Sequence, residues 1–430
     1  MLKNIFKKGI TFILEWEARL VLKKYKPSII AITGSVGKTS TKDAIYEVIR
    51  SKYHARKSEK SYNNELGVPL TILNLETGWN SPLIWIKNCF KGLLLIILKN
   101  HYPAWLVLEV GVDRPGDMKR ITRWLSPSIV VITRFAEIPP HVEFFDNPEH
   151  LYDEKWHLSN SLKKGGTLIV NNDDKILLSY TEKHREIKTL SYGLSSGASL
   201  HATDLHITYA SGHIPKGITF KAINNKNEVP INLSGTIGYG HVYAVLAALL
   251  VGNELDINLV AGAEALSTME PTPGRMKLLL GINESVIIDD SYNASPDALS
   301  LALDSLYDLE ITGKKIVVLG DMLELGKFAH EAHTQVGELL SKQISALVLV
   351  GPRARFIVEE KKGGLRDSQI VFCENAEEAG EYLKKKIKAG DAILVKGSQR
   401  VRLEKTIKEI LQNPDDAQYL VRQDKEWKNR

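Results

Sequence analysis

The sequence contains very little cysteine. Its two residues of this type, Cys89 and Cys373, are far apart in a chain of 430 residues. They have neither the spacing of a zinc site nor the density of a disulfide-stabilised scaffold, so both classes are excluded. We therefore expect a protein of the reducing cytoplasm.

A long run of basic residues is also missing, although the formal net charge is +5. That charge is a small difference between 56 Lys and Arg residues and 51 Asp and Glu residues. The balance argues against nucleic acid as the main partner and suits a phosphorylated substrate equally well. With 43% hydrophobic and 25% charged residues, the chain is typical of a globular protein of two or three domains.

No apolar stretch reaches the roughly 20 residues that a membrane-spanning helix needs. Met1–Tyr25 and Leu83–Leu98 come closest, and charged residues interrupt both. The first also lacks the small-residue cleavage site of a signal peptide. Each stretch is either a helix packed on the protein's own core or an amphipathic helix that contacts the cytoplasmic face of a membrane, or a partner protein, through residues 1–25 and 83–98.

From residue 28 onwards, short β-branched apolar runs alternate with longer helical patterns. This alternation predicts an α/β protein with mostly parallel sheets and crossover helices. Helices are predicted at Thr41–Arg50 and Pro296–Leu306. The predicted buried strands are Ile29–Thr33, Trp105–Val110, Ile129–Thr133, Thr167–Val170, Val286–Asp289, Lys315–Leu319, Ala346–Val350 and Ala392–Val395.

Between Leu190 and Gly235 the pattern changes to alternating apolar and polar residues with Gly and Asn turns, which predicts a small antiparallel insert. Pro271 and Pro273 then interrupt the chain before a new strand and helix series. We predict an amphipathic helix at residues 1–27, a central P-loop-type ATP-binding domain at 28–269 and a C-terminal Rossmann-like α/β domain at 270–430.

A candidate phosphate-binding loop follows the first predicted strand. The segment 29–40 reads IIAITGSVGKTS, which is a strand, a glycine-bearing turn and the start of a helix. Backbone N–H groups of such a turn bind phosphate, Lys38 reaches the β- and γ-phosphates, and the Thr39 hydroxyl binds Mg²⁺. The predicted ATP-binding residues are Gly34, Ser35, Val36, Gly37, Lys38, Thr39 and Ser40.

The general form of this loop has a glycine five residues before Gly37, where this chain has Ile32. The shortened spacing, TGSVGKT, resembles the loop of the Mur ligases and folylpolyglutamate synthetases. Segments in the same order are similar to the Mur ligase branch that adds D-alanyl-D-alanine to a UDP-muramoyl-tripeptide. They are YNNELGVP (62–69), LEVGVDRPG (108–116), TPGRM (272–276), IDDSYNASP (288–296), LGDMLELG (319–326) and VKGS (395–398).

Glu109 ends a predicted buried strand at the sheet edge where α/β proteins bind ligands, so it is a candidate Mg²⁺ ligand beside Thr39. The resemblance adds His141 to the metal site. It also implies that Lys155 carries a carbamate made from CO₂, which helps to hold a second Mg²⁺. Carbamylation needs a partly neutral amine, which burial promotes. By the same resemblance, Lys38, His141 and Lys155 are the catalytic residues.

In the C-terminal half, the resemblance assigns Arg275 to the ATP phosphates and Asp290 to the ATP ribose region. Asn293 is either a nucleotide contact beside Asp290 or a turn former. The polar residues at 321, 324, 330 and 333 are either substrate contacts or helix caps. The predicted substrate-side residues are Asn63, Asn64, Glu65 and Lys396.

Two regions depart from the family pattern. The segment 238–244 reads GYGHVYA, with His241 and Ala244 at positions where the family has asparagines that serve nucleotide binding. Only about 28 residues precede the first predicted strand, too few for an independent core. The similar enzymes have there a domain that binds the UDP end of their substrate, and we expect it to be lacking.

The resemblance implies an ATP-dependent ligase that forms an amide through an acyl phosphate. It adds D-alanyl-D-alanine or an amino acid to the carboxylate of a peptidoglycan-precursor peptide. The alternatives are ligation to a folate-like or polyamide carboxylate, and a non-catalytic ATP-binding scaffold at the membrane. The segments 63–65 and 289–292 favour the first hypothesis. Joint retention of Lys38, Thr39, Glu109, His141 and Lys155 argues against the scaffold.

Overall fold

A computed structural model describes residues 2–59, 62–79, 81–224, 227–360, 363–424 and 427. Within these residues, nine strands form one sheet and six strands form a second. The predicted α/β class is confirmed, and every predicted strand overlaps a strand of the structure. The predicted domain boundary at residue 270 falls between the last strand of the first sheet and the first strand of the second, and it stays a prediction.

The first sheet has the strand order β2-β3-β1-β4-β5-β6-β7-β8-β9. Pairing is parallel from β2 to β7 and antiparallel from β7 to β9. The predicted antiparallel insert is therefore an extension of the main sheet at one edge. Its strands are β1 Ser28–Thr33, β2 Ala55–Lys57, β3 Trp105–Glu109, β4 Ile129–Ile132, β5 Thr167–Asn171, β6 Lys188–Gly193, β7 Leu200–Ala210, β8 Ile214–Ile223 and β9 Glu228–Ser234.

Helices cover both faces of this sheet because successive residues of its buried strands point to opposite sides. Ile30 and Ile32 of β1 pack with α2, α8 and α9. Ile29 and Ala31 pack in a second cluster, with α1, α3, α5 and α6. The helices are α1 Leu2–Tyr25, α2 Lys38–Arg50, α3 Gly67–Leu73, α4 Pro82–Ile97, α5 Asp117–Thr122, α6 Pro148–Trp156, α7 Lys175–Lys183, α8 Tyr239–Glu254 and α9 Leu259–Ser267.

The second sheet has the order β10-β11-β15-β12-β13-β14, and only the β10–β11 pair is antiparallel among the strands described. Helices α10 and α11 pack on one face, and α12 and α13 on the other. The elements are β10 Lys277–Gly281, β11 Ser285–Asp290, α10 Pro296–Tyr307, β12 Lys315–Gly320, α11 Ala329–Leu339, β13 Ile344–Val350, β14 Ile370–Cys373, α12 Ala376–Lys384, β15 Ala392–Lys396 and α13 Glu404–Ile410.

The two apolar stretches of the sequence form helices α1 and α4, which pack against each other. Leu14, Ala18 and Val21 of α1 are fully buried in the core of the first sheet. This agrees with the core-packing alternative for one face of α1. None of the helices in the described part of the chain is long and apolar enough to span a membrane.

Glu17 of α1 is enclosed between these two helices. Its side chain is 2% exposed, and its Oε2 atom has no hydrogen-bond partner among the described residues. A Cβ atom added at Gly92 of α4 would lie 2.1 Å from that oxygen, so glycine is what permits the close approach. Burial raises the pKa of the Glu17 carboxyl from 4.5 to about 7.

The raised pKa of Glu17 predicts a stability that depends on pH. Between pH 4.5 and about pH 7 the folded state holds a proton that the unfolded chain releases, so stability falls as the pH rises through this window. Glu17→Gln should raise Tm by at least about 2 °C at pH 8 and by much less at pH 4.5, as measured by calorimetry.

Glu15→Gln provides the matched control. Its carboxylate pairs with Arg19 and, at 2.7 Å, with Arg120, so its neutralisation should lower Tm at pH 8. An equal gain from Glu17→Gln at both pH values would contradict the assignment of a buried, reluctantly charged carboxyl.

Candidate active site

The phosphate loop lies between the carboxyl end of β1 and the start of α2. Gly34 and Gly37 have positive φ angles of 138° and 84°, which favour glycine. A Cβ atom at Gly34 would lie 2.1 Å from the Oγ1 atom of Thr133. That hydroxyl donates to the carbonyl of Val36 at 2.6 Å. These contacts fix the turn that leads into the N-terminus of α2, where backbone N–H groups bind anions.

Two oxygen ligands suited to Mg²⁺ lie beside the loop. Strand β3 is parallel to β1 and pairs Glu109 with Ile32, which brings the Glu109 carboxylate to the same sheet edge. The Thr39 hydroxyl donates to one carboxylate oxygen at 3.0 Å, and the Asn63 amide donates to the other at 3.0 Å. Glu109 is 1% exposed.

These donors fit a Mg²⁺ ion, which keeps most of its coordination for water and nucleotide phosphate. Among the described residues, no group of three or more His, Cys, Asp or Glu side chains is placed to hold a metal. His141 therefore does not join Glu109 in a cluster of acidic and imidazole side chains that could hold a metal. The metal roles of His141 and Lys155 stay predictions.

Two lysine amines are buried at the loop. Lys38 donates to the carbonyl of Gly34 at 2.8 Å, and Lys155 of α6 donates to the hydroxyl of Ser35 at 2.8 Å. Burial lowers the pKa of Lys38, while Glu109 opposes this shift. Burial, followed by the neighbouring charge of Lys38, lowers the pKa of Lys155 well below its usual value of 10.5. The Lys155 amine is thus readily available in its neutral, nucleophilic form.

Arg275 reaches this site from the segment that precedes the second sheet. Its guanidinium donates to the Thr39 hydroxyl at 3.5 Å and lies over the Tyr292 ring, 4.1 Å from the centroid. His241 accounts for part of this placement, since its Nε2 atom hydrogen-bonds the carbonyl of Arg275 at 2.8 Å. At this departure from the family pattern, the imidazole positions a cleft residue through the backbone.

His141 closes the site on another side. It follows β4 in a left-handed conformation with φ of 71°. Its Nδ1 atom lies 3.0 Å from a carboxylate oxygen of Glu324, which comes from the loop after β12, and its Nε2 atom lies 3.7 Å from Asp113. The hydrogen bond from His141 lowers the pKa of Glu324. A loop that follows a strand of the first sheet is thereby linked to a loop that follows a strand of the second.

A cleft of about 450 Å³ contains most of the predicted residues. It brings together twelve of them from both sheets, although the sequence separates the first from the last by more than half of the chain. They are Gly34, Ser35, Val36, Gly37, Lys38, Thr39, Asn63, Glu109, His141, Lys155, Arg275 and Asn293.

Five predicted residues do not line the cleft, namely Ser40, Asn64, Glu65, Asp290 and Lys396. Ser40 lies within α2 and is buried. The Asn64 side chain accepts from the N–H groups of residues 66 and 67 at the start of α3. Glu65 pairs with Arg120 at 2.8 Å. Their roles in binding stay predictions.

Asp290 and Lys396 form a buried ion pair beneath the cleft. Their charged atoms are 2.5 Å apart, and Lys396 is 2% exposed. Lys396 also donates to the carbonyl of Asn293 at 3.0 Å. Burial lowers the pKa of Lys396, and Asp290 opposes this shift. In the structure, this pair supports the loop that carries Asn293.

Several cleft residues were not assigned from the sequence. Tyr292 and Asp113 belong to segments that carry the family resemblance. The sequence therefore marked these segments, but it assigned neither residue an individual role. Arg400 and Trp427 follow no pattern that distinguishes them from surface residues. Ser295, Leu323 and Ser398 also line the cleft from the quoted segments, and Gln399 lines it just after the last of them.

Comparisons with known proteins agree with this geometry. Residues 32–84 and 92–252 match the Mur ligase middle domain, and residues 274–399 match the Mur ligase glutamate ligase domain. A similar protein is the UDP-N-acetylmuramoyl-tripeptide–D-alanyl-D-alanine ligase of Bacillus subtilis (strain 168). It is 28% identical over 402 residues, which cover 93% of this chain and 79% of that protein.

Solved structures show the same similarity. The MurF ligase from Thermotoga maritima in complex with ADP is 25% identical, with a TM-score of 0.75 over 93% of this chain and 83% of that one. MurF from Acinetobacter baumannii, at 19% identity, shares the fold with a TM-score of 0.75 over 92% of this chain and 79% of that one. This chain belongs to the Mur ligase family and is an ATP-dependent ligase that forms amide bonds.

Proposed function

We propose that the protein joins D-alanyl-D-alanine to the terminal carboxylate of a peptidoglycan-precursor peptide and converts ATP to ADP and phosphate. The observation that carries this proposal is the cleft in which Lys38, Thr39, Glu109, Lys155 and Arg275 converge. Cations and Mg²⁺ ligands in this arrangement suit the transfer of a phosphoryl group. The name of the similar ligase from Bacillus subtilis supplies the amine and the acceptor.

In the first step, a carboxylate oxygen of the precursor attacks the γ-phosphorus of ATP. The bond from that phosphorus to the β,γ-bridging oxygen breaks, ADP leaves, and an acyl phosphate remains. Lys38 and Arg275 neutralise the charge that develops on the transferring group and on the leaving group. Mg²⁺, held by Thr39 and Glu109, supplies further neutralisation of the phosphate oxygens when bound.

In the second step, the amine of D-alanyl-D-alanine attacks the acyl carbon. The carbon–oxygen bond to phosphate breaks, inorganic phosphate leaves, and the amine nitrogen gives up one proton. Because water hydrolyses an acyl phosphate, the cleft has to exclude water during the reaction. The link between His141 and Glu324, at 3.0 Å, spans the two sheets and helps to keep the cleft closed.

We further infer that Lys155 reacts with CO₂. Its neutral amine attacks the carbon atom, a nitrogen–carbon bond forms as one carbon–oxygen π bond opens, and one proton leaves, so that a neutral amine becomes an anionic carbamate. The lowered pKa of this buried amine supports the reaction, because only the unprotonated form is nucleophilic. An anion at this position would offset the charge of Lys38 and offer further oxygen atoms to a second Mg²⁺.

This proposal places the reaction in the cytoplasm, where ATP is available, and retains the predicted central and C-terminal domains of residues 28–269 and 270–430. The folate-like or polyamide substrates and the non-catalytic scaffold are less favoured. The Bacillus subtilis ligase compared above acts on the muramoyl tripeptide by name, and the cleft of this chain contains both lysines together with Thr39 and Glu109.

The proposal predicts ADP release that requires both co-substrates. Purified protein with Mg²⁺ and ATP should release ADP only when UDP-muramoyl-tripeptide and D-alanyl-D-alanine are both present, and the pentapeptide product should appear by mass spectrometry. Single amino acids and folate-like acceptors serve as the comparison. Tight ATP binding without turnover of any acceptor would instead support the scaffold.

The carbamate predicts a specific pattern of rescue. Lys155→Ala should lower turnover by roughly a hundredfold or more, since it removes a charged group next to the transferring phosphoryl group. Added formate or acetate should restore part of the activity by filling the anion position, whereas Lys155→Arg should stay inactive with either. The exposed Lys163→Ala serves as the control. Full turnover of Lys155→Ala without any added carboxylate would contradict the proposed carbamate.

A further inference from the structure

Helix α4 presents a continuous apolar stripe to its surroundings. Successive stripe residues are separated by three, four, three and four positions, the spacing that places side chains on one face of a helix. Their exposed fractions run from 39% to 78%. The opposite face, with Trp85, Asn88 and Gly92, is buried. The stripe consists of Leu83, Ile86, Phe90, Leu93 and Ile97.

Helix α1 presents a second stripe. Phe12, Ile13 and Trp16 are 70%, 39% and 49% exposed, although the same helix buries Leu14 and Ala18 completely in the core. Large apolar side chains exposed together on two neighbouring helices mark a site of interaction.

The two stripes lie on adjoining helices that run in the same direction. Glu17 of α1 contacts Gly92 of α4. About two helical turns further along α1, Lys24 donates to the carbonyls of Leu95 and Leu98, at 3.1 and 2.5 Å. Contact at both points keeps the helices side by side. We refer to the exposed surface of residues 6–25 and Pro82–Ile97 as the α1–α4 face.

All exposed charges among the described side chains of this face are basic. The two acids of α1, Glu15 and Glu17, are 7% and 2% exposed and turn into the protein, and α4 contains no acid. Basic side chains thus outnumber acidic ones at the border of the apolar stripes, where Glu65, 4.0 Å from Lys7, is a neighbouring acid. The exposed basic residues are Lys7, Lys8, Arg19, Lys23 and Lys24 of α1 and Lys87 and Lys91 of α4.

We propose that the α1–α4 face binds the surface of an anionic lipid bilayer, with both helices lying in the plane of the interface. Helices with aromatic and aliphatic residues on one side and lysines at the border bind membranes in this way. The apolar stripes enter the boundary between headgroups and acyl chains, and the lysines contact anionic headgroups. A second copy of the chain is a poorer occupant, because it would bring two positive borders together.

Vesicle flotation with the full-length protein tests the proposal. The protein should float with vesicles that contain one third phosphatidylglycerol in phosphatidylcholine, and far less with phosphatidylcholine alone. Raising the salt from about 0.1 M to about 1 M shortens the screening length from about 10 Å to about 3 Å and should weaken the binding.

Paired substitutions separate the two contributions. Ile86→Ser with Phe90→Ser should lower the partition coefficient at least about tenfold on every vesicle, because it removes buried apolar area. Lys87→Glu with Lys91→Glu should lower it by a similar factor on anionic vesicles only. The matched control is Val260→Ser with Phe372→Ser, which removes apolar side chains that are exposed elsewhere.

Each variant should keep the wild-type ADP release and melting temperature, which shows that the fold is intact. Absence of flotation with anionic vesicles, or a loss with the control pair as large as with the Ile86 and Phe90 pair, would overturn the proposal. So would a dimer in light scattering that does not float and that the Ile86 and Phe90 pair turns into monomer, since the face would then bind a second copy.

Discussion

Lys38 and Lys155 place two amines in one buried site at the phosphate loop, where Arg275 adds a guanidinium and Glu109 a carboxylate. Burial makes the charged amines unfavourable, so the pKa values of both lysines fall. The site gains most from a ligand that brings several negative charges. Nucleotide phosphate supplies these charges. The loop glycines, the Mg²⁺ ligands and residues from the half of the chain with the second sheet all line the one cleft that would hold it.

The sequence predicted the phosphate loop and Glu109 correctly as neighbours because both depend on local order. A strand followed by glycine and a helix start defines the loop, and β1 and β3 are parallel neighbours, so their carboxyl ends coincide. Edge strands β2 and β14 were missed because three or four residues carry too little periodicity. The alternating pattern between Leu190 and Gly235 correctly predicted antiparallel strands, but it did not show that β7 joins them to the main sheet by pairing with β6.

The rest of the site depends on distances between remote segments, which no local pattern encodes. Lys396 was predicted to contact substrate, but it does not line the cleft and is instead buried in an ion pair with Asp290 at 2.5 Å. Asn64 and Glu65 directly follow Asn63, but the start of α3 turns them away from Glu109. Helix α1 was ambiguous for another reason: both of its faces are apolar, and only packing shows that Leu14 is inside and Phe12 outside.

The central claim is that a single site, shared by both halves of the chain, binds the phosphates of ATP. Calorimetric titration of Mg²⁺–ATP into wild type, Lys38→Met, Arg275→Met and the double variant tests it most directly. Because both cations act on the same phosphates, the double variant should lose less binding free energy than the sum of the single losses, by about 1 kcal/mol or more. Strictly additive losses, or unchanged affinity in Arg275→Met, would contradict the account.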